Sequence, residues 1–183
     1  MKWVAIFIVW NVVGLPVECL FALQPMAIGL RDGPIAMLAI CLAGTGIFVL
    51  AIAVHELGHL VAGLLVGLEP TMVVFGPLRL VRESGKIRLR LNTLLFGNAA
   101  ITRVRPIEAL WSRSRFATFI IGGPVANFLA AATSIGLVMI LEGPGKSLLF
   151  PKTSLGAILN MAAFTNLCFM MTNLVPFWDR GSF

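Results

Sequence analysis

Both histidines of this 183-residue chain fall in one short stretch, Val54-His55-Glu56-Leu57-Gly58-His59-Leu60. On a helix, residues four apart project from the same face about one turn apart, as two imidazole ligands of one metal must. Glu56 follows the first histidine, where a carboxylate can act as general base on a metal-bound water. From Ile35 to Leu68 these three are the only acidic, basic or imidazole side chains. Such groups are costly inside a membrane and mark a functional site by default. The bland readings are a chance five-residue match or a packed core histidine. Three ionisable groups at metal spacing in an otherwise apolar helix favour chemistry.

The elements that position these residues follow from composition. The chain is 58% hydrophobic and 12% charged, against about 25% charged in soluble domains. It therefore reads as an integral, multi-pass membrane protein with a membrane α-helical fold, one domain over 1–183. The net charge of +6 would suggest nucleic acid in a soluble protein. Here nine basic residues against three acidic ones lie between Gly67 and Arg115. A solvated, orientation-setting segment explains that run better, so no nucleic-acid partner is expected. The three cysteines, Cys19, Cys41 and Cys168, lie in apolar runs without C-x-x-C spacing and imply no disulfide framework.

About four transmembrane helices are expected, over roughly 3–23, 35–66, 116–141 and 154–175. Glu18, near the far end of the first, reads as an interfacial carboxylate. The second could be one tilted helix or a helix bent near Gly44-Thr45-Gly46. Gly58, Gly63 and Gly67 place small residues beside and after the histidines, and Gly63-x-x-x-Gly67 permits close helix approach. Between the second and third helices, 71–104 breaks into short β-forming runs: Thr71–Phe75, Leu78–Arg82, Lys86–Leu91 and Ala99–Val104. Lys86, Arg88 and Arg90 alternate with Ile87, Leu89 and Leu91, the period-two pattern of a strand with one apolar face. A small membrane-associated sheet or pair of hairpins is predicted, in the interface or against the helices. Glu108 to Arg115 reads as an interfacial lead-in. Asn127, Ala131 and Ser134 share one face of the third helix. Thr165, Asn166, Thr172 and Asn173 form a polar stripe on the fourth that should face protein or water. With Lys2 inside, eleven of the fourteen basic residues fall on the cytoplasmic side. That count puts the β-rich segment and both termini in the cytoplasm.

Taken together, these motifs resemble the site-2 protease family, the M50 intramembrane zinc metalloproteases. His55-Glu-Leu-Gly-His59 lies in a membrane helix. Gly123-Pro-Val-Ala-Asn127 is similar to the family's G-P-x-x-N in the following span. Asn173-Leu-Val-Pro176 is similar to the opening of its N-x-x-P-x(n)-D-G. The β-rich segment resembles the family's membrane-associated hairpin. The resemblance implies a Zn2+ cofactor held by His55 and His59, with Glu56 as catalytic base. It implies that Asn127 positions substrate or the reacting carbonyl, and that Asn173 and Pro176 shape the helix end leading to a carboxylate ligand. In the family's register the acid-glycine pair would meet Gly181, whereas the nearby acid is Asp179, followed by Arg180. Two readings stay open: Asp179 completes the site through an altered turn, or the Asp-Gly lies beyond Phe183 in a longer natural chain.

The function so implied is hydrolysis of peptide bonds in or near transmembrane segments of membrane proteins or membrane-bound peptides, within the lipid bilayer of a bacterial cell membrane. The water on zinc would give its proton to Glu56, and an exposed β edge could hold the substrate by strand addition. The alternative is a non-catalytic site-2-protease-like membrane protein that binds peptides or a partner. Retention of Glu56, which no ligand role requires, argues for the enzyme. A transporter using the polar stripe is a weaker third reading, since no internal repeat is detectable.

Overall fold

Each described helix stops or starts where the sequence supplies a capping group. The computed structural model describes residues 33–75, 78–83, 86–91, 100–105, 112–143 and 153–174. Within them the order is α1 (Pro34–Leu65), β1 (Glu69–Phe75), β2 (Leu78–Glu83), β3 (Lys86–Leu91), β4 (Ala100–Arg105), α2 (Arg113–Glu142) and α3 (Ser154–Leu174). Pro34 opens α1, where a missing N–H costs nothing. Gly67, at φ +78°, closes it. Its N–H bonds to Leu64 O, and that of Leu68 bonds to Gly63 O, at 3.1 and 2.8 Å. This is the double bond of a Schellman cap, which needs a left-handed residue. Gly67 is thus a helix terminator. Ser112 and Thr153 cap α2 and α3 by accepting the N–H of Arg115 and Gly156 on their hydroxyls.

All three helices, among the described residues, are long and apolar enough to cross a membrane. Their exposed sides carry Leu42, Leu50, Leu64, Leu129, Ile140 and Met171, surfaces suited to lipid rather than water. Of the four expected spans, the one at 3–23 lies outside the described residues, so the count of four is not established. The lead-in expected before α2 is helical from Arg113 onward, and α1 is one uninterrupted helix through Gly44 and Gly46.

The four β runs form one antiparallel sheet in the order β3-β2-β1-β4. Val73 pairs with Leu80 on one side and Thr102 on the other, so these three share a face. Val73 and Val74 are buried, whereas all six residues of β3 are exposed. The alternation predicted for β3 is present, but no described residue covers its apolar face. Glu83 binds Arg88 and Arg90 across the surface of this hairpin, at 3.7 and 2.7 Å. Exposed pairs of this kind contribute about 0–1 kcal/mol.

The chain divides into two compact units, Met1–Phe48 with Ala130–Cys168 and Val49–Leu129 with Phe169–Phe183. In the first, Ala131, Val138 and Ala163 are buried together with the polar Asn160 and Asn166. There the Glu142 carboxylate accepts both the Thr153 N–H and the Thr153 hydroxyl, at 3.1 and 2.6 Å, tying the end of α2 to the start of α3. The second unit holds the sheet and the histidine motif.

Candidate metal centre

Within the second unit, α1 brings His55 and His59 onto one face, their ring centroids 4.6 Å apart. His55 is buried, and its Nδ1 lies 2.6 Å from Asn127 Oδ1 on α2. The Asn127 amide is itself oriented, because its Nδ2 donates to Ala51 O at 3.2 Å. His59 Nδ1 lies 2.8 Å from the Phe119 carbonyl, also on α2. Both acceptors carry no hydrogen, so both Nδ1 atoms must donate, and each neutral ring then presents a lone pair at Nε2. Those two Nε2 atoms face each other at 3.0 Å. Two lone pairs at that distance repel unless a positive charge sits between them. Zn–N bonds are about 2.0–2.1 Å long, so one zinc can reach both nitrogens. The donor set therefore fits zinc, with each ring held from behind as metal-ligating histidines usually are.

Close helix contact makes this possible. A Cβ built on Gly58 would fall 2.6 Å from Ala126 Cβ and would run into the Gly122 carbonyl. A Cβ on Gly123 would fall 2.5 Å from His59 Nε2 and 2.7 Å from His55 Nε2. Glycine at 58, 122 and 123 thus lets α1 and α2 meet at the histidines. Pro124 follows within α2, leaving Ile120 O without its usual helical donor.

The Glu56 carboxylate, only 4% exposed, accepts a hydrogen bond on Oε2 from the Thr102 hydroxyl of β4 at 2.5 Å. Glu56, both histidines, Thr102 and Asn173 line one cavity of ≈ 290 Å³, walled by Ile52, Ile101, Phe119 and Phe169. Asn173, on α3, donates to Phe169 O at 2.8 Å.

The structure thus brings together His55, Glu56, His59 and Asn173. Asn127 stands behind His55 rather than among the cavity-lining residues. Asp179 lies outside the described residues, among which no group of three or more His, Cys, Asp or Glu is placed to hold a metal. Sequence reasoning passed over Thr102 and the Phe119 carbonyl. A threonine in a β run carries no signal beyond strand propensity, and a backbone carbonyl carries none.

The model of Peptidase family M50 matches residues 43–154, which contain the histidine motif, the whole sheet and Asn127. No curated protein and no solved structure matches the chain. Since the family match covers more than half of the 183 residues and includes the histidine pair, the chain belongs to peptidase family M50.

Proposed function

We propose that this protein is an intramembrane zinc metalloprotease that hydrolyses peptide bonds in or near transmembrane segments of membrane proteins or membrane-bound peptides. The observation that carries this reading is the pair of facing Nε2 atoms beside the Glu56 carboxylate, on a helix apolar enough to cross a membrane. His55 and His59 would hold the ion, with Asp179 as the proposed third ligand. Zinc, when bound, lowers the pKa of a water toward about 7 and polarises a carbonyl. Glu56 accepts the proton that the attacking water loses and returns it to the departing amine nitrogen. Asn173, which lines the same cavity, would meet the substrate backbone.

Metal content and cleavage of a model transmembrane substrate test this together. Wild-type protein is expected to carry zinc and to cleave, and Glu56→Gln to keep zinc while losing about 100-fold or more in rate. No cleavage above background by the zinc-loaded wild type would sink the protease reading and leave the non-catalytic one, and full cleavage by Glu56→Gln would remove Glu56 as the base. In the same assay Asp179→Ala should lose zinc; full retention would exclude Asp179 as the third ligand.

The sheet supports an extended substrate. Among the described residues β4 pairs with β1 alone, which makes it an edge strand there, and its Ile101 and Thr102 line the cavity. A peptide added along that edge would lie beside Glu56. Backbone N-methylation flanking the scissile bond removes two such hydrogen bonds, each contributing about 0.5–1.5 kcal/mol. A fall of about tenfold in kcat/KM is expected, and an unchanged value would rule out strand addition.

A further inference from the structure

We infer that Thr102 is a positioning residue for the Glu56 carboxylate, so that strand β4 as well as helix α1 sets where the base sits. The inference rests on the reading of Glu56 as that base. A glutamate has three side-chain torsions, and its helix alone does not settle where the carboxylate lies. The Thr102 hydroxyl meets Oε2 at 2.5 Å, the length of a charge-assisted O–H···O bond. A second, longer approach of the same oxygen to Glu56 O, 3.3 Å, keeps the hydroxyl over this one residue. Thr102 is fixed in turn by the ladder, where it faces Val73 of β1. Val73 is itself buried at 4% exposure, so this part of the strand is anchored. With Oε2 engaged, Oε1 is the oxygen left for proton transfer. A base displaced by about 1 Å can cost on the order of 100-fold in rate, so the hydroxyl should act on turnover rather than on metal or substrate binding.

Valine tests this, because it keeps the β-branched shape and removes only the hydroxyl. The full-length protein, reconstituted in lipid, is compared as wild type, Thr102→Val, Thr102→Ser and Glu56→Gln. Thr102→Val is expected to lower kcat by about 10- to 100-fold with KM within about twofold and zinc content unchanged. Thr102→Ser, which keeps the donor, should recover most of the rate. In metal-free protein, the carboxyl infrared band identified by its loss in Glu56→Gln should shift in Thr102→Val and stay in place in Thr102→Ser. Should the valine variant not accumulate, Thr102→Ala carries the same expectations. Wild-type kcat in Thr102→Val, or a loss that serine does not restore, would overturn the inference. Full cleavage by Glu56→Gln would instead remove the reading of Glu56 on which it rests. An inactive Glu56→Gln beside a fully active Thr102→Val removes the inference alone.

Discussion

Replacing Gly123 by alanine should abolish zinc binding and cleavage together. The added carbon would sit 2.5 Å from His59 Nε2 and 2.7 Å from His55 Cε1 and Nε2, inside van der Waals contact with both rings. Neither ring can withdraw without breaking a bond that holds it, to Asn127 Oδ1 or to Phe119 O. Retreat of α2 would stretch the same two bonds, because Asn127 and the Phe119 carbonyl both belong to that helix. Overpacking in a tight core costs roughly 1–3 kcal/mol. The functional cost is greater, since both proposed ligands move at once. Loss of an outer-shell partner weakens metal binding about 10- to 100-fold, and displacing the ligands themselves should exceed that. Gly136, on the same helix, supplies the control: a Cβ there meets nothing within 4 Å. Gly136→Ala should leave zinc and cleavage intact and stabilise α2 by about 0.5–1 kcal/mol. Zinc content and turnover of the two variants, measured side by side, decide the matter. Wild-type zinc in Gly123→Ala would mean that this helix contact does not define the site.

That contrast also marks what is legible in the sequence alone. His55, Glu56 and His59 are readable because ligand spacing on a helix is local, and their surroundings are conspicuously apolar. The strands are readable for a similar reason, since alternation in Lys86–Leu91 and turn residues between the runs are short-range signals. Pairing order is not local. Nothing in Ala99–Val104 says that it will lie beside β1, so nothing singled out Thr102 as the residue that reaches Glu56 from 46 positions away. The small residues Gly58 and Gly63 do face α2, at Gly122, Ala126 and Phe119. Gly67 serves as a cap, and the tightest approach falls at Gly58 and Gly122. A glycine in isolation does not declare whether it is needed for its dihedral angles or for its missing side chain. For the same reason the sequence match that contains Asn127 says that an amide belongs there and not which partner it holds.

Asn127→Leu, which keeps the shape and removes the amide, is expected to weaken zinc binding by about 10- to 100-fold. The resemblance in sequence suggests that this residue handles substrate. Its geometry suggests a different task. Asn127 is fully buried, is not among the residues lining the cavity, and places Oδ1 2.6 Å from His55 Nδ1. Leucine would leave that Nδ1–H without an acceptor in an apolar setting, a cost of about 1–3 kcal/mol. It would also stop fixing the tautomer that keeps the Nε2 lone pair toward His59. The Ala51 carbonyl would lose its bond from Nδ2, loosening the turn that precedes His55. Aspartate separates these effects. Asn127→Asp keeps an acceptor for Nδ1 while losing the donor to Ala51, so it should hold zinc better than the leucine variant. A positioning role predicts that metal affinity falls in the order wild type, aspartate, leucine, with KM nearly constant once zinc is saturating. A substrate role predicts the reverse: zinc unaffected in both variants and KM raised. Zinc titration followed by steady-state kinetics at saturating metal distinguishes the two, and undiminished zinc affinity in Asn127→Leu would assign the amide to the substrate.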